Sequence, residues 1–110
     1  MFAISTEEIQ ALFDKELAKA NEHNSQFHSS HEAYAVLLEE VEEAKEALSN
    51  LDYYTERIWS IVKKDDYLTV SIKGAKMFAS SLIREAIQVG AMCDKFLNYL
   101  DTKKEGKQNV

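Results

Sequence analysis

Apolar residues recur along this chain at the three-and-four spacing of helices, and that spacing predicts four of them. The first runs from Thr6 to Glu22, with Ile9, Leu12, Phe13, Leu17 and Ala20 on one face and Ser5 with Glu8 placed as a capping box. The polar stretch 21–30 reads as a loop. A second helix starts near Ser30, where Ser29 and Glu32 repeat the capping-box spacing, and Ser49-Asn50 is its expected stop. The third covers Asp52 to Lys63, with Tyr54, Ile58, Trp59, Ile61 and Val62 apolar, and Lys63-Lys64-Asp65-Asp66 is a charged break. The fourth begins between Tyr67 and Ile72 and reaches Lys103. Leu68, Val70 and Ile72 alternate as a strand would, but no partner strand is encoded, so a helix start is expected there. Residues 1–104 read as a single helical domain and 105–110 as a frayed tail.

Composition sharpens this picture. Proline is absent and there are three glycines, which favours long helices. The expected fold class is all-α, a four-helix bundle. A chain of 110 residues leaves much apolar surface uncovered, so self-association as a dimer or tetramer is expected. The net charge of −6 argues against general nucleic-acid binding, which needs basic surface to displace counterions. Cys93 is the single cysteine, so no intrachain disulfide forms. The N-terminal segment turns acidic at once, unlike a signal peptide, and no apolar run approaches the roughly 20 residues that span a bilayer. A cytoplasmic protein without a membrane partner is expected.

Several glutamates break the apolar pattern. On a helical wheel of the second helix with Glu40 at zero, Ala33, Ala44, Leu37, Leu48, Val41, Tyr34 and Leu38 fill roughly 20° to 160°, and Val36 and Ala47 lie at roughly −40° and −20°. Glu40 therefore sits inside the apolar stripe, with Glu43 on its edge. The fourth helix repeats the arrangement. With Glu85 at zero, Phe78, Val89, Leu82, Cys93 and their neighbours fill roughly 20° to 120°, Met92 lies at roughly −20°, and Gln88 takes the edge place held by Glu43. A buried carboxylate needs a cation, a proton or a metal ion. Arg57, Lys73 or Arg84 would serve as cations, and an exposed gap in the stripe would leave nothing to neutralise. A divalent ion is the economical neutraliser of three acids, and oxygen ligands favour Mg2+ or Mn2+ over zinc. Magnesium also tends to bridge to phosphates.

The segment Leu37-Leu38-Glu39-Glu40-Val41-Glu42-Glu43 resembles the E-E-x-x-E signature of MazG-like nucleoside triphosphate pyrophosphohydrolases, an all-α family. Glu85-Ala-Ile-Gln88 stands where that family has E-x-x-D. The longer stretches 31–40 and 84–92 look like a MazG-like subgroup found in bacteria and their phages. The likeness covers about half the chain. It implies magnesium-dependent hydrolysis of a (deoxy)nucleoside triphosphate to the monophosphate and pyrophosphate. It further implies Glu40, Glu43, Glu85 and Gln88 as metal ligands, and Glu39 with Glu40 as the catalytic pair. Gln88 departs from the family's aspartate and removes one negative charge. A catalytically weak or inactive nucleotide- or metal-binding protein is therefore the alternative, and a helical adaptor is a third reading.

Other residues carry weaker expectations. Lys73, Lys76 and Arg84 are candidates for phosphate contacts and Trp59 for stacking on a base. Core packing for Trp59 and plain solvation for the three cations are the favoured readings. His28 and His31 lack a neighbouring cysteine and do not read as a zinc pair. Cys93 reads as a small core residue.

Overall fold

Ser5 opens the first helix as the sequence predicts. Its Oγ accepts the Glu8 amide at 3.0 Å, and Glu8 Oε1 accepts the Ser5 amide in return, closing the capping box of α1 (Thr6–Ala20). Ser29 caps the second helix by accepting the Glu32 amide at 3.1 Å, while the Glu32 carboxylate takes the His28 amide. This computed structural model describes residues 2–24 and 26–108, with side chains described to residue 104. Within them the fold is all-helical: α1, α2 (Ser30–Lys63) and α3 (Thr69–Gln108), with no strand.

Three helices stand among the described residues where four were expected. The expected second and third helices are one, because α2 passes through Ser49-Asn50 without interruption. Serine and asparagine inside a helix cost only about half a kcal/mol each, and neither glycine nor proline stands there to break it. The inward stripe also keeps its phase. Ala33, Leu37, Glu40, Ala44, Ala47, Leu51, Tyr54, Ile58 and Ile61 alternate four and three residues apart, and all are buried or half-buried. Along α3 the corresponding series is Ser71, Ala75, Phe78, Leu82, Glu85, Val89, Met92, Phe96 and Tyr99. Glu40 and Glu85 occupy core positions of these two series. Val70 and Ile72 lie in the first turn of α3, as expected, and Leu68 just before it, with the Ile72 amide bonded to Leu68 O at 3.0 Å. The helix continues to Gln108, beyond the expected end at Lys103, and Asn109 and Val110 of the expected tail lie outside the described residues.

The turn between α2 and α3 ends the stripe of α2. The Asp66 amide reaches back to Ile61 O and the Asp65 amide to Val62 O, and Asp65 takes φ 52°. This is a Schellman closure with aspartate at the left-handed position that glycine usually fills. Asp65→Gly is expected to raise stability by about 1 kcal/mol by removing the Cβ clash of that conformation. A shift of the urea midpoint to higher concentration checks it, and an unchanged or lower midpoint contradicts it.

Two compact units divide the chain. One comprises Met1–Glu40 with Ile87–Val110. Its core is Phe27, Ala33, Ala91 and Met92, flanked by Leu17, Val36, Leu37 and Phe96. Phe13 lies so close to Gly90 that a Cβ there would stand 2.2 Å from the ring. The other unit, Val41–Ala86, is a helical hairpin in which Tyr54 covers Gly74 and meets Phe78 at 5.7 Å.

Candidate metal centre

The stripe positions of α2 and α3 carry the acids inward. Glu43 follows Glu40 by one turn on α2, and Glu85 comes from α3. One carboxylate oxygen from each of Glu40, Glu43 and Glu85 lies within 4.8 Å of the other two, and all three residues are half-buried. Two negative charges at that separation repel by on the order of 3 kcal/mol at an effective dielectric near 20. The strain is visible at Glu85. Its carboxyl is held above the ordinary value of 4.5, first by desolvation, then by a hydrogen bond and charge repulsion from Glu43, and by Glu46. A carboxyl–carboxyl hydrogen bond requires one proton between the pair. Glu85 Oε2 is screened from solvent and finds no hydrogen-bond partner among the described residues.

An oxygen-only donor set, half-buried, with one orphaned carboxylate oxygen fits a hard divalent cation such as Mg2+ or Mn2+. Of the cationic alternatives, the Arg57 guanidinium approaches Tyr53 Oη at 3.4 Å, Arg84 donates to Ser80 Oγ at 3.2 Å, and Lys73 lies roughly 120° around α3 from Glu85. The nearby charges that act on Glu85 are negative.

The chain matches no protein-family model, no curated protein and no solved structure. The chemistry of the site itself is therefore the guide to what it does.

The remaining expected residues fall in different places. Glu39, although adjacent to Glu40, is exposed and outside the triad. Gln88 is half-buried one turn beyond Glu85, and its amide nitrogen donates to Glu16 Oε1 at 3.3 Å. Glu16 is not among the residues expected from the sequence, though a signal is there. It stands three residues after Phe13 and four before Ala20, within the apolar stripe of α1, as Glu40 and Glu85 do in theirs. Lys73, Lys76 and Arg84 do come together, lining an open groove with Met77 and Ser80. On α3, however, they lie roughly 100° to 180° around the helix from Glu85. Trp59 is 61% exposed with the Lys63 ammonium 5.5 Å from its ring centroid, so it packs in no core of this chain. It stands about 24 Å along α2 from Glu43, out of reach of a nucleotide whose phosphates sit at the triad of the same chain. Cys93 is half-buried and lines an apolar hollow of about 290 Å³ with Leu37, Phe96, Leu97 and Leu100.

Proposed function

We propose that this chain is a MazG-like, magnesium-dependent nucleoside triphosphate pyrophosphohydrolase that works as a self-associated, cytoplasmic helical bundle. The convergence of Glu40, Glu43 and Glu85 within 4.8 Å is the observation that carries the reading. These three carboxylates would hold the divalent ion, with the Gln88 amide oxygen as an uncharged fourth ligand. When bound, such an ion draws charge from the phosphates and lowers the pKa of a water. The chain's own carboxylates do the rest. Their half-buried position limits competing water, and their close spacing would hold the ion at one fixed place. Glu39, exposed on the same turn, would be the candidate to accept a proton from the attacking water. Water adds at the α phosphorus, the bond to the α–β bridging oxygen breaks, and monophosphate and pyrophosphate leave.

Self-association is supported by the incomplete core. The buried apolar residues are Phe27, Ala33, Ala47, Ala91 and Met92, and no large side chain is fully enclosed among the described residues. Tyr34, Leu48, Trp59, Val70, Ile83 and Leu97 are all at least half exposed. A surface this apolar is normally covered by another chain, and a second copy would complete a four-helix layer from α2 and α3. No helix among the described residues is long and apolar enough to cross a membrane.

Pyrophosphate release from a panel of triphosphates with Mg2+ tests the activity directly. Metal-dependent turnover is expected, and its absence for every triphosphate contradicts the enzymatic reading. One observation favours a weaker second reading. Gln88 supplies no charge and already engages Glu16, so metal affinity is expected to be low. Gln88→Asp is therefore expected to tighten Mg2+ binding about tenfold or more, the scale of a changed ligand shell. Calorimetric titration showing no gain would remove Gln88 from the site.

A further inference from the structure

Away from the carboxylate triad, the unit formed by Met1–Glu40 and Ile87–Val110 holds a second polar site. Lys95 on α3 is 7% exposed, which is rare for a lysine because its ammonium loses hydration on burial. Its Nζ donates to Asn24 O at 2.6 Å and stands 4.8 Å from the Phe27 ring centroid. A carbonyl dipole and an aromatic face stabilise a cation without neutralising it. An ammonium has three donors, and one is used by Asn24.

Lys95 lines a partly enclosed pocket of about 160 Å³ with Asn21, Gln26, Asn98, Tyr99 and Thr102. No acid is in that wall. Amide, tyrosyl and ammonium groups give it donors, while the Thr102 hydroxyl is spent on Asn98 O at 3.0 Å. Asn21 Oδ1 is sealed from solvent and offers the pocket no acceptor.

We propose that the Lys95 pocket binds a small oxyanion, of which phosphate is the type. Its charged oxygens accept from Lys95 and from the amide and tyrosyl donors of the wall. Sulfate, of the same size and shape, competes for the same donors. The pocket wall includes no member of the triad, so this binding is independent of the metal-linked reading above.

Thermal melts and calorimetric titrations of the full chain in EDTA, with phosphate or sulfate at matched ionic strength, test the proposal. EDTA removes any phosphate binding routed through a metal. Phosphate and sulfate are both expected to raise the melting temperature. Lys95→Met keeps the buried stem and removes the charge, and it should abolish the phosphate response. Tyr99→Phe, which deletes one hydroxyl, should keep the fold and weaken phosphate binding severalfold. Lys45→Ala, on α2 and not in this pocket's wall, should leave it unchanged. A phosphate response that survives in Lys95→Met, or is lost in Lys45→Ala, overturns the assignment to this pocket. So does the absence of any response in the wild type.

Discussion

Gly90→Ala is expected to destabilise the protein by about 1–3 kcal/mol, the usual cost of forcing volume into a filled space. The added methyl would stand 2.2 Å from two atoms of the Phe13 ring. An aromatic ring has few ways to yield, and retreat would lift α1 from α3. Since a domain this size has a total stability of only about 5–15 kcal/mol, the loss is large. Phe13→Leu in the same background should recover part of it by vacating the space. Denaturant melts of the two variants decide the matter: if Gly90→Ala melts like the wild type, the close approach of Phe13 to Gly90 is wrong.

Glu85→Gln should have opposite effects on stability and on function. The Glu85 carboxyl titrates above its ordinary value of 4.5 because burial and Glu43 disfavour its charge. A raised pKa means that the folded state holds the proton more tightly than the unfolded state. The stability this contributes is complete below pH 4.5 and is lost as the pH rises through the raised value. Glutamine has no such loss. In EDTA the variant should therefore gain on the wild type as the pH rises from 4.5 to neutrality. With Mg2+ at neutral pH the order should reverse, because only the wild type keeps all three carboxylates. Pyrophosphate release should fall on the order of a hundredfold or more, the rate equivalent of several kcal/mol of lost charge stabilisation. Melting temperatures across pH, with and without Mg2+, provide the check. Equal magnesium stabilisation of both proteins would exclude Glu85 as a ligand.

Both Glu40 and Glu85 are legible in the sequence alone, because a carboxylate inside an apolar stripe is a conflict that needs an explanation. Glu16 breaks the stripe of α1 in the same way, but it belongs to no motif that would draw attention to it. An interruption at Ser49-Asn50 is expected only if two polar residues outweigh the phase of the stripe. Leu51, Tyr54 and Ile58 continue the rhythm of Ala44 and Ala47, and a helix without glycine or proline has no reason to stop there. The left-handed Asp65 is not legible, since a charged run marks a turn without giving its backbone geometry.

Helix content, the capped starts at Ser5 and Ser29, and the inward side of each helix follow from local rules: spacing, capping chemistry and the absence of proline. These act over a few residues, so a linear reading captures them. Whether Glu85 meets Glu43, whether Gln88 turns to Glu16, and whether Lys95 ends beside Asn24 depend on residues 42 to 72 positions apart. Such pairings are set by how the helices pack, because one wheel gives a side chain's direction but not what stands opposite it.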